Sequence, residues 1–180
     1  MKLEPQIEEL YRMLDRELID ELWKNDPEMQ RLAQEYDERP VNRILSRRIN
    51  EFDNSIPHNV AQRQFDMIRQ IADSGESVIF VGRCADYALA GRPGLLRIFC
   101  RADLGLRIRR IEQRHNLSKK KAALLVAKTD RHRRVYYHHH TGQFWGHSSC
   151  YDLTVNTGVL GVEKTAETME AFIRAFWEQD

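Results

Sequence analysis

Two groups of side chains in this sequence have the types and spacing to handle an anion. The first is Gly82-Arg83, which follows the unbroken apolar run Val78-Ile79-Phe80-Val81. Such a run fits a buried parallel strand, and open α/β sheets bind their ligands at the carboxyl ends of their strands. Gly82 lets the backbone turn there, and Arg83 follows with a rigid fork of donors matched to phosphate or carboxylate. A surface arginine in a tight turn is the plain alternative. The second group is Asp130, Arg133 and Tyr137, spaced i, i+3 and i+7 on one helical face, with Arg131 and Arg134 beside them. Phosphoryl transfer needs fixed cations around the oxygens of the transferred group. A solvated charged face is the alternative for this second group.

The elements that would position these residues follow from periodicity. Ile7, Leu10, Leu14, Leu18 and Leu22 recur at helical spacing, so 6–24 reads as an amphipathic helix, with room for an interruption near Asp15. A second helix starts after Asp26-Pro27 and ends before Pro40. Val41, Ile44, Leu45, Ile49 and Phe52 mark a third. Asn59 is placed as the cap of a fourth, with Val60, Phe65, Ile68 and Ile71 as its stripe and Ser74-Gly75 as its end. Further strands are expected at 95–100 and 151–156, with helices at 103–115, capped by Asp103, at 118–140, capped by Ser118, and at 162–177. Strands separated by helices imply an α/β fold with a parallel, doubly wound sheet.

At 180 residues the chain suits one domain, with 1–75 as a helical part and 76–180 as a strand and helix core. Net charge is near zero, but its distribution is uneven. Residues 1–40 hold 6 Lys/Arg against 12 Asp/Glu, a net of −6, whereas 92–134 hold 14 against 3, a net of +11. An anionic partner is expected on the basic half. Three cysteines without CxxC spacing indicate reduced thiols and a cytoplasmic protein. The acidic start MKLEPQIEEL has no apolar core, and no run reaches the roughly 18 apolar residues that span a bilayer, so no membrane partner is expected.

A resemblance now joins these pieces. Gly82-Arg83-Cys84-Ala85-Asp86-Tyr87, then Asp130-x-x-Arg133 with Tyr136-Tyr137, then Thr141-Gly142, Trp145-Gly146, Tyr151-Asp152-Leu153 and Leu160-Gly161-x-Glu163-Lys164-Thr165 resemble the cytidylate kinase-like family. Asp15-Arg16-Glu17-Leu18-Ile19 resembles the segment after that family's first helix. The resemblance implies a P-loop nucleoside monophosphate kinase fold and phosphoryl transfer from ATP, with Mg²⁺ on its phosphates, to CMP or dCMP. It implies that Arg83 holds the acceptor phosphate and that Asp86 lies near the acceptor nucleotide. Arg131 and Arg133 would come from a lid around 114–147, with Asp130 orienting them. Arg107, Arg110 and Arg114 would stand at the start of the lid arm, and Tyr137 and Arg110 are grouped with Arg83 and Asp86 as substrate-binding residues. Cys84 stands where typical bacterial CMP kinases carry aspartate, so the acceptor base is left open. A small-molecule nucleotide is the implied partner.

One departure from the family pattern is plain. The expected opening strand, glycine-rich phosphate loop and helix do not precede Asp15, and the first fourteen residues hold no glycine. Gly158 to Thr165 nearly spells G-x-x-x-x-G-K-T, but Glu163 takes the second glycine's place, where its carboxylate would repel phosphate. That stretch is expected to be the turn into the last helix. Without the first strand, the strands at 78–81 and 95–100 would keep unpaired edges. The chain is then a fragment, or closes the gap by pairing those strands or by forming a homo-oligomer over their edges, or is a non-catalytic homologue that keeps the monophosphate site without the ATP site. Nucleic acid is a less favoured partner, through the basic half and Tyr136-Tyr137. His138, His139 and His140 point about 100° apart on a helix and cannot share one ion. His140, His147 and Cys150 could meet across a turn, but the family segment is a tyrosine-rich lid, and no metal site is assigned. Trp145 and Tyr151 are expected in packing, as are Trp23 and Trp177.

Overall fold

The structure is a computed structural model and describes residues 12–14, 24, 27, 30, 31 and 55–178. The chain divides into two compact units, Met1–Arg92 with Val135–Gly142, and Pro93–Arg134 with Gln143–Asp180.

In the first unit, β1 (Arg12–Leu14) pairs in parallel with β2 (Val78–Phe80), and Leu14 stands opposite Phe80. At residues 12–14 this corrects both the helix read over 6–24 from its leucine spacing and the expectation that no opening strand precedes Asp15; residues 6–11 and 15–23 lie outside the described residues. Periodicity cannot tell a helix from a short strand when another strand offers its backbone groups, and β2 offers them. The pairing also limits β2. Among the described residues three of β1 face β2; Val81, expected in the strand, lies beyond it and is 44% exposed, and Val78 to Phe80 are half-buried rather than enclosed on both faces.

Helix α1 (Ser55–Asp73) buries Val60, Ala61, Gln64, Phe65, Ile68 and Ile71, a stripe at three- and four-residue spacing. The helix starts at Ser55, so Asn59 lies within it and does not cap it. Pro57 is accommodated because the first four amides of a helix have no acceptor within it. After Asp73 the Ser74 hydroxyl donates to Ile71 O at 2.8 Å, and Gly75, at φ 82°, turns the chain toward β2. Pro27, Gln30 and Arg31 are helical, as the second expected helix requires; the rest of that helix, the third one and Trp23 lie outside the described residues.

In the second unit, β3 (Ile98–Arg101) and β4 (Leu153–Asn156) pair in parallel, with Ile98 opposite Leu153. Both strands are shorter than expected. The Arg97 amide donates to the Asp152 side chain at 2.8 Å instead of to a ladder partner. Tyr151 closes a 3₁₀ turn over Ser148–Cys150. Helix α2 (Ala85–Ala88) is a single turn in the first unit. Helix α3 (Leu104–His115) ends on Asn116 in the left-handed region at φ 50°. Asp103 precedes α3 but makes no capping bond with its side chain, which accepts from Asn156 Nδ2 at 3.4 Å. Helix α4 (Lys119–Thr141) has its residues up to Arg134 in the second unit and those from Val135 in the first. The turn after Asn156 leads into α5 (Gly161–Trp177).

Trp145 and Tyr151 pack their rings on Phe99, at 5.3 and 4.9 Å between centroids. Gly146, at φ 78°, lets the chain pass this cluster, because a Cβ there would lie 2.9 Å from the Phe99 ring. Trp177, expected in packing, is exposed beside Phe176. The described parts form a mixed helix and strand fold with two parallel strand pairs. No helix among the described residues is long and apolar enough to cross a membrane.

Candidate functional site

In the first unit the backbone turns sharply where β2 ends. Gly82, Arg83 and Cys84 take φ values of 76°, 59° and 52°, three successive residues in the left-handed region. For the two that are not glycine this costs on the order of 1 kcal/mol each, and it persists where surrounding structure enforces it. The Ala85 amide donates to Gly82 O at 3.1 Å and that of Ala88 to Cys84 O at 2.9 Å, so the turn runs directly into α2. Arg83 ends up 4% exposed, with Cys84 buried beside it.

Helix α1 fixes α2 from below. Arg69 Nε donates to Ala88 O at 3.2 Å, and the Phe65 and Tyr87 rings meet edge to face at 6.2 Å. The end of α4 completes this unit. The Tyr137 hydroxyl donates to Asp86 Oδ2 at 2.6 Å, and His140 lies against Phe65 and Tyr136. Two of the sequence candidates, Asp86 and Tyr137, are therefore in contact, and both share a unit with Arg83.

The other candidates lie in the second unit. Both oxygens of Asp130 accept from Arg107, Nη1 at 2.8 Å and Nη2 at 2.9 Å, a two-pronged ion pair that holds α3 to α4. The hydrogen bond to Asp130 pushes the Arg107 pKa up; burial opposes this and the carboxylate charge adds to it. Arg110 donates to Thr157 Oγ1 at 3.1 Å and to its carbonyl at 3.4 Å. Arg131, Arg133 and Arg114 stand exposed. The carboxylate expected to orient Arg131 and Arg133 thus engages Arg107.

Spacing alone missed three features. Arg97 holds Asp152 through its amide, Nε and Nη2, at 2.8, 3.1 and 2.7 Å. These bonds, led by those from the Arg97 side chain, keep the Asp152 carboxyl below the usual carboxylate range, against the effect of burial. The second is the Arg107–Asp130 pair, whose members lie 23 positions apart on different helices, beyond the reach of any local spacing rule. The third is the buried side chain of Gln64, which sequence treats as one more polar residue in a helix.

The stretch from Gly158 to Thr165 does not fit a phosphate loop. Gly161 opens α5, Glu163 occupies its first turn, and the Thr165 hydroxyl donates to Gly161 O at 2.5 Å. Among the described residues no three His, Cys, Asp or Glu side chains are grouped to hold a metal ion, and no disulfide joins Cys84, Cys100 and Cys150. Burial pushes the Cys100 thiol pKa up.

A model of the cytidylate kinase-like family matches residues 8–159, most of the chain and all the candidate residues. The chain belongs to the cytidylate kinase-like family. Membership makes it a nucleotide-kinase-like protein, a class that acts on small nucleotides and uses ATP with Mg²⁺. Among solved structures it is similar to an uncharacterized protein from Eubacterium ventriosum ATCC 27560, at 25% identity and a TM-score of 0.70, covering 94% of this chain and 87% of that one. No curated protein matches the sequence.

Proposed function

We propose that this member of the cytidylate kinase-like family binds a pyrimidine nucleoside monophosphate, CMP or dCMP, and serves phosphoryl transfer to it from ATP. The observation that carries the reading is the Arg83 turn, a buried guanidinium fixed by strained backbone at the carboxyl end of a parallel strand. Strain of this kind gathers at ligand sites, and the rigid fork of guanidinium donors matches a phosphate. Arg83 takes the acceptor phosphate, with Asp86, Tyr137 and Arg110 on the substrate side. Arg131 and Arg133, with Asp130, serve the transferred group. The arrangement that would let both sets serve one reaction is the doubly wound sheet of the P-loop kinases, in a cytoplasmic protein.

A second reading, a regulatory homologue that binds the monophosphate without transferring phosphate, is favoured by Glu163 in the first turn of α5, where the nearest match to a phosphate loop fails.

Titration calorimetry with CMP and with Mg-ATP, beside a coupled assay for ADP, separates the two. Binding of both with ADP formation supports the kinase. CMP binding without ATP binding or ADP supports the regulatory form, and failure to bind CMP removes both. Arg83→Ala is expected to keep the wild-type far-UV circular dichroism and to lose CMP affinity by about 2–4 kcal/mol. Unchanged affinity in that variant would show that the phosphate is anchored elsewhere.

A further inference from the structure

Gln64 lies on the buried face of α1 at 1% exposure, and its Nε2 has no hydrogen-bond partner among the described residues. A buried amide donor left unpaired lowers stability, and leucine or methionine would fill the same volume without that penalty. Packing alone therefore does not account for glutamine here. Its place in the fold gives a reason. Among the described residues of the first unit, the buried polar or charged side chains are Gln64 and Arg83. The next residue, Phe65, touches Tyr87, and α2 starts directly after Arg83-Cys84.

We propose that Gln64 is a binding residue of the monophosphate site, its Nε2 donating to an acceptor atom of the nucleotide's base while Arg83 holds the phosphate. This rests on the reading that the first unit binds a nucleoside monophosphate. The division of labour follows from the groups. A guanidinium suits the phosphate anion, whereas a neutral carboxamide donor suits a ring carbonyl oxygen or ring nitrogen. Both side chains are buried, so the ligand enters by local opening, and reclosure excludes water from both contacts.

The test compares the full-length wild type with Gln64→Leu and Gln64→Met, titrated with CMP and with ribose 5-phosphate, which keeps the phosphate and sugar but lacks the base. Thermal melts accompany the titrations. Both variants are expected to melt no lower than wild type and to bind CMP about tenfold more weakly, the loss of one hydrogen bond. Their affinity for ribose 5-phosphate is expected to match wild type. Wild-type CMP affinity in a folded variant overturns the proposal, as does an equal loss for both ligands or a lowered melting temperature in both variants. If the wild type itself binds no CMP, the underlying reading fails and takes this one with it; if the wild type binds and the variants bind equally well, this one alone fails.

Discussion

The Tyr137 hydroxyl donates a 2.6 Å hydrogen bond to Asp86 across 51 positions of sequence, tying the end of α4 to α2. Tyr137 is 5% exposed, so the bond is shielded from competing water. Tyr137→Phe keeps the ring and removes the donor. The expected loss is about 1–2 kcal/mol of stability, read from urea unfolding, together with weaker CMP binding as Asp86 loses its orientation. A variant as stable as wild type would show that the bond adds no net stability.

The Arg107–Asp130 pair should behave as one unit. Its members are partly buried, with side chains 32% and 17% exposed, so removing either leaves a poorly solvated charge behind. A double-mutant cycle with Arg107→Met and Asp130→Asn is expected to give a coupling energy of roughly 1–2 kcal/mol by chemical denaturation. Additive effects would show that α3 is held to α4 by other contacts.

Arg97 and Asp152 set an acid limit on stability. The folded carboxyl titrates below its ordinary value, about 3.9 in an unstructured peptide. A group depressed in this way contributes stability that is fully present above the unfolded value and is lost as pH falls through the folded one. Urea unfolding between about pH 6 and pH 2 should therefore show a stability loss in the range below about pH 4 that Asp152→Asn flattens. An unchanged acid limb in that variant would assign the loss to other carboxyls.

Gly146 is expected to tolerate no side chain. A Cβ there would lie 2.9 Å from a Phe99 ring already packed between Trp145 and Tyr151, and the backbone sits at φ 78°. Gly146→Ala should cost about 1–3 kcal/mol, read as a lowered melting temperature. A melting temperature equal to wild type would show that the ring shifts freely.

Much of the architecture was legible because it is written in local patterns. The stripe of Val60, Phe65, Ile68 and Ile71 gave α1 its buried face, since side chains at three- and four-residue spacing share one side of a helix. The apolar run before Gly82 marked β2, and the spaced motifs from Gly82 to Thr165 carried the family. The helix starts were less legible. Asn59 has a capping side chain, but α1 begins at Ser55; Asp103 precedes α3 and makes no capping bond.

What the amino-acid order determined on its own was therefore the kind of element along most of the chain, the family, and which arginines were available for an anion. Tertiary structure decided the partners. Arg12–Leu14, inside a stretch whose leucines recur at helical spacing, became β1 because β2 had backbone groups to pair. Asp130 engaged Arg107 on another helix, Asp86 met Tyr137, and Gln64 was buried with its amide unpaired. Periodicity reports which face of an element is apolar, and it carries no information about which distant polar group will meet that face. Such contacts are fixed only when separate elements pack and every buried donor must find an acceptor or remain without one.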